Sequence, residues 1–138
     1  MAFTRYNSMV PASPLPNDPG VLWAHITNSA SETNIPVYVP WDNCQLVHAY
    51  TTVTTAIDST ADMEIDLELT EAGGTEIMTI SVPKSSAVGT VTEATFTSRA
   101  AGRHLKNGSI IMVEVDGSAA AAGAANIYLY FEPGPGAA

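Results

Sequence analysis

Cys44, the histidines and the tryptophans are the side chains of this sequence with the widest chemical reach. His25, His48 and His104 stand far apart, and no two share the H-x-x-x-H spacing that places paired imidazoles on one face for zinc. No metal ligand set is expected. Cys44 precedes His48 closely, but a thiol nucleophile needs a base that is itself oriented by a third group, and the linear pattern assembles no such triad. As the lone cysteine it forms no intrachain disulfide, and a small buried core residue is the expectation. Neither G-x-G-x-x-G nor the P-loop pattern occurs, so nucleotide chemistry has no support. We therefore expect no catalytic residue, no cofactor and no enzyme.

Three groups of residues suit binding instead. Trp23, Trp41, Tyr38 and Tyr50 are candidates for stacking against sugar rings, because an aromatic face takes up the apolar side of a pyranose. Asp62, Glu64, Asp66 and Glu68 alternate with Met63, Ile65, Leu67 and Leu69, which describes a strand with one apolar and one acidic face. Same-face residues on one strand stand roughly 7 Å apart, so this series alone does not chelate an ion and reads as a solvated face. Against it stand Arg99, Arg103 and Lys106, a basic group in an acidic chain. In a homo-oligomer that group of one subunit could meet the acidic strand of the next, where complementary charge sets register more than affinity.

The elements that must position these residues are strands. The chain has 138 residues, enough for one core, and its Thr, Val, Ile and Tyr content suits a pleated, half-buried surface. A formal charge of −9 repels nucleic acid and anionic membranes, so neither is an expected partner. No run approaches membrane-spanning length and the first residues lack a signal-peptide pattern, which points to assembly in a cytoplasm. Strands are expected over residues 35–40, 44–56, 62–69, 76–82, 90–97, 109–115 and 126–132. Gly73-Gly74 should close a hairpin. Over Thr90–Thr97 the parity is mixed, with Val91 and Phe96 on opposite phases. Seven or eight antiparallel strands imply an all-β sandwich or jelly roll.

Domain boundaries follow from the prolines. Pro11, Pro14, Pro16 and Pro19 exclude a long helix, so residues 1–34 are expected to form an extended arm, residues 35–132 the sandwich and residues 133–138 a Pro/Gly-rich tail. The arm carries Phe3, Tyr6, Met9, Val10, Leu15, Leu22 and Trp23, a density of large apolar groups that suits packing on a neighbour.

The stretch Gly102-Arg103-His104-Leu105-Lys106-Asn107-Gly108, the strand Ser109–Val115, the turn Asp116-Gly117, an Ala/Gly loop and Ile127-Tyr128-Leu129-Tyr130-Phe131 resemble the cadence of small virion proteins of tailed phages. The Pro-rich arm, Thr- and Ala-rich body and lone cysteine are similar to a capsid decoration, or cement, protein. That resemblance implies a homotrimer on the outer surface of a virion, bound to the major capsid protein through the arm and subunit interfaces. The alternative is a carbohydrate-binding or adhesion module on a phage head or tail fibre.

Overall fold

The computed structural model describes residues 20–29, 31–58, 60–70, 73–116 and 122–134. Among these residues nine strands form: β1 (Gly20–Thr27), β2 (Thr33–Tyr38), β3 (Cys44–Thr55), β4 (Met63–Leu69), β5 (Thr75–Val82), β6 (Val91–Glu93), β7 (Thr95–Phe96), β8 (Ile110–Val115) and β9 (Ala124–Pro133). They pair antiparallel into a four-stranded sheet, β1-β9-β3-β6, and a five-stranded sheet, β2-β8-β4-β5-β7. The chain passes repeatedly from one sheet to the other and β9 returns between β1 and β3, which is the jelly-roll form of the expected sandwich.

Period-two patterning builds the core. Met63, Ile65, Leu67 and Leu69 of β4 point inward with Val113 and Val115 of β8, facing Ile127, Leu129 and Phe131 of β9 and Leu46 and Val53 of β3. Cys44 is buried with them, as expected. Burial, and secondarily Asp42, pushes its thiol up to about 11. Gly73 and Gly74 take positive φ (73° and 78°) in the β4–β5 connection, a region open to glycine. Pro36 sits in β2 at a sheet edge, where a missing N–H can face solvent.

The mixed parity over Thr90–Thr97 is a change of sheet. Val91–Glu93 joins β3, the chain turns at Ala94, and Thr95–Phe96 joins β5 across the sandwich. One residue of crossing reverses which phase faces inward.

The expected arm needs correction. Residues 1–19 lie outside the described residues, but Gly20–Thr27 pairs along its whole length with β9, and residue 35 falls inside β2. Leu22, Ala24 and Ile26 face the core at period two, a short alternation overshadowed in the sequence by the prolines before it. Pro133 likewise ends β9 rather than opening the tail, and residues 135–138 lie outside the described residues.

Candidate functional site

Alternation that buries one side of β1, β9 and β3 presents the other side to solvent, and there the aromatic residues gather. Register fixes their neighbours. Trp23 lies opposite Tyr128, Tyr128 opposite Tyr50 and Tyr50 opposite Glu93, so one row crosses all four strands. Beside it runs Val21–Tyr130–His48, and on the other side His25–Asn126–Thr52–Val91. A bulge at Val47 creates part of this pattern. Leu46 pairs with Phe131 and His48 with Tyr130, so the extra residue turns His48 outward where strict alternation from Leu46 would bury it.

The rings support one another. Tyr50 stacks on Tyr128 with centroids 5.1 Å apart and on Tyr130 at 5.7 Å, and His48 lies 5.7 Å from Tyr50 and 5.8 Å from Tyr130. Tyrosine rings standing on a sheet and leaning face to face leave edges and hydroxyls toward solvent. Trp23 is different: at the end of the row it is 62% exposed, a large apolar ring with open area.

Polar groups surround the rings. Tyr50 Oη and Tyr130 Oη are 3.3 Å apart, Asn126 Nδ2 donates to Tyr128 Oη at 3.4 Å, and His25 Nδ1 donates to Asn126 Oδ1 at 2.9 Å. His48 Nε2 stands 3.5 Å from Glu93 Oε1. The Tyr130 hydrogen bond, then burial and the nearby tyrosines, raise the Tyr50 pKa, which keeps its hydroxyl a neutral donor and acceptor. No Lys or Arg stands among the described residues of these rows. The arrangement offers one open indole face beside a ridge of neutral hydrogen-bonding groups.

Of the four expected stacking residues, Trp23 and Tyr50 are on this face. Trp41 is not. It is 2% exposed, packed against Phe131 with centroids 5.4 Å apart, and closes the core. Tyr38 is 62% exposed but belongs to β2 of the other sheet. Tyr128 and Tyr130 were absent from the sequence expectation. Their signal was the alternation with Ile127, Leu129 and Phe131, which puts two tyrosines on the side away from the core.

The remaining expected residues divide between two other places. Glu64, Asp66 and Glu68 lie on the outer side of the five-stranded sheet, while Asp62 just precedes it and accepts the Lys84 backbone N–H at 2.7 Å. Pairing brings in Glu114 opposite Asp66 and Glu76 opposite Glu68. Carboxylate oxygens of Asp66, Glu68 and Glu114 lie within 4.8 Å of one another, as do those of Glu32, Glu114 and Asp116. Partial burial first, then Glu76, Asp116 and Glu114, pushes the Asp66 carboxyl up to about 7. Burial and neighbouring acids raise Glu114 as well.

Arg99, Arg103 and Lys106 are exposed in the connection from β7 to β8, with the Arg99 guanidinium 3.9 Å over the Phe96 ring. Within the chain they do not meet the acidic strand: among the described residues no Lys or Arg pairs with a carboxylate. Of the expected arm contacts, Phe3, Tyr6, Met9, Val10 and Leu15 lie outside the described residues. Leu22 packs on the chain's own core, so it is not a free docking group, and Trp23 is exposed on the sheet.

The fold defines the class: an all-β, two-sheet jelly-roll sandwich. No family model matches the sequence, and no curated protein matches it. Among solved structures the chain is similar to a glycoside hydrolase family 43 arabinoxylan arabinofuranohydrolase from Bacillus subtilis in complex with cellotetraose (TM-score 0.47, 13% identity, 88% of this chain and 28% of that one). It is also similar to CsCBM6-3 from Clostridium stercorarium in complex with cellobiose (TM-score 0.38, 13% identity, 89% of this chain and 79% of that one). The chain thus spans less than a third of the hydrolase's length.

Proposed function

We propose that this protein is a carbohydrate-binding or adhesion module that holds a glycan on the outer face of its four-stranded sheet. The observation that carries the reading is the exposed Trp23 ring set in one row with Tyr128 and Tyr50. An indole face stacks on the apolar side of a pyranose, while the tyrosine hydroxyls, Asn126 and His25 exchange hydrogen bonds with sugar hydroxyls. With Glu93 and no Lys or Arg on its described residues, the face suits a neutral sugar better than an anionic one. On this reading the protein binds without catalysis.

A glycan array followed by calorimetry with soluble neutral oligosaccharides tests it. Binding is expected, with Trp23→Ala weakening affinity by about tenfold, the factor worth about 1.4 kcal/mol, and leaving the melting curve in place. No binder on the array, or a Trp23→Ala protein that binds as well as the parent, overturns the proposal.

A second reading gives the same face a protein partner. Val21 is exposed beside Trp23 at one edge and Val91 at the opposite edge, and apolar groups on an outer face also suit a protein interface. It moves the docking surface of the expected decoration protein from the arm to this sheet, with the major capsid protein beneath and the module on the outer surface of a virion. Co-pelleting with empty shells, abolished by Trp23→Ala, is its expected result; a protein that stays in the supernatant at every shell concentration ends it.

A further inference from the structure

We infer that copies of this chain associate head to tail, the Arg99–Lys106 loop of one copy lying on the acidic outer face of the five-stranded sheet of the next. Three observations carry this. First, charge is sorted by place. Arg99, Arg103 and Lys106 occupy one connection, with Lys84 apart from them beside Asp62, whereas Asp66, Glu68, Glu76, Glu114 and Asp116 lie together on the outer sheet face and its end.

Second, β8 keeps Glu114 and Asp116 apart from the basic connection, which begins nearer Glu76, since the Ser98 N–H donates to the Ile77 carbonyl. The basic connection leads into its start at Ile110, while Glu114 and Asp116 mark its finish, and a strand of this size spans about 17–20 Å. Asp116 and Glu114 are therefore out of reach of the loop of the same copy. A second copy placed along the strand direction brings its loop to them.

Third, neither group has a partner of opposite charge among the described residues. No Lys or Arg of the described residues pairs with a carboxylate, although the carboxylates approach within 4.8 Å of one another. Partial burial first, then the neighbouring carboxylates, raise the Asp66 pKa, and an incoming guanidinium or ammonium offsets the repulsion among the carboxylates. Pro36 and Met112, opposite one another on the same face, supply an apolar strip beside the acids.

The net charge of −9 opposes association at long range. At about 0.15 M salt, however, the screening length is only about 8 Å, so repulsion between whole molecules fades while ion pairs in contact persist. Because one copy offers the loop and the other the face, the contact is heterologous: it closes into a ring if the rotation permits and otherwise extends. The aromatic face lies on the opposite sheet and stays free.

Sedimentation velocity on the full chain tests the inference with two multiple variants, one carrying Asp66→Asn, Glu68→Gln and Glu114→Gln, the other Arg99→Glu, Arg103→Glu and Lys106→Glu. The parent is expected to oligomerise, and each variant alone to be monomeric with association weakened by roughly tenfold or more. Mixed together, each variant contributes one intact half: the parental loop of the face variant lies on the parental face of the loop variant, while the reversed loop and the neutralised face make no contact. The mixture therefore forms one-to-one heterodimers and nothing larger. A monomeric parent at its highest soluble concentration overturns the inference, as do variants that oligomerise like the parent or a mixture that remains monomeric. Circular dichroism melts of both variants confirm that each is folded before its association is read.

Discussion

Trp23 and Trp41 are the same residue with opposite employment, and parity decides between them. Trp23 falls on the outward phase of β1, whereas Trp41 lies between β2 and β3 and fills the core. Residue type alone nominates both for sugar stacking, so only the pairing of strands separates them. Asp66 shows the same dependence on place. Its acidity in the sequence is that of any aspartate; in the fold, partial burial and Glu76, Asp116 and Glu114 make it bind a proton up to about pH 7. The folded chain then holds a proton that the unfolded chain has released, so this stability is fullest below the ordinary carboxylate range and is lost as pH rises through about 7. Asp66→Asn is expected to leave the melting temperature unchanged near pH 4 and to raise it by a few degrees near pH 8, a gain of about 0.5–1 kcal/mol after allowance for solvent screening. Thermal melts across that pH interval check it, and a substitution that raises stability equally at both ends removes Asp66 as the cause.

At the scale of elements, β4 is the strand most legible in the sequence, because its acids and aliphatics alternate without interruption and it lies in the middle of a sheet with one solvated face. The hairpin at Gly73-Gly74 and the central strands β3, β8 and β9 were legible for similar reasons of local composition. β1 was not, since four prolines immediately upstream suggest an arm that continues past residue 20, and nothing local marks the point where pairing with β9 begins. The candidate face was only half legible for a related reason. Trp23, Tyr50 and Tyr128 come together through pairings that join residues far apart in the chain, and the outward turn of His48 depends on a bulge. Where β1 enters the sandwich it passes close over the core: a Cβ at Gly20 would stand 2.5 Å from Trp41 Cη2. Gly20→Ala must displace a buried indole, so a loss of about 1–3 kcal/mol is expected from overpacking. Urea unfolding measures it, and an unchanged midpoint would show that β1 can lift away without strain.

For the molecule as a whole, the two sheets carry unlike surfaces. The four-stranded sheet shows aromatics and neutral polar groups, and the five-stranded sheet shows acids, with Arg99, Arg103 and Lys106 set in the β7–β8 connection. This division lets a glycan or shell contact and an association between copies proceed without competing for area. The jelly-roll path has a further effect on how the chain reaches this state. β9 lies between β1 and β3 and, among the described residues, is the one strand paired with β1 and the longest partner of β3. During synthesis, β1 through β8 emerge first and leave a slot one strand wide over the core, open until Ala124–Pro133 has been made. Pairing across so much intervening sequence is slow. A chain cut after Ala122 is expected to remain unfolded, and a synthetic β9 peptide supplied in trans to restore the native circular dichroism spectrum; a truncated chain that melts cooperatively by itself would contradict this. Until it closes, the slot can accept any strand of the right pattern, including β9 of another copy, so exchange of that strand is the misassembly to which this topology is most exposed.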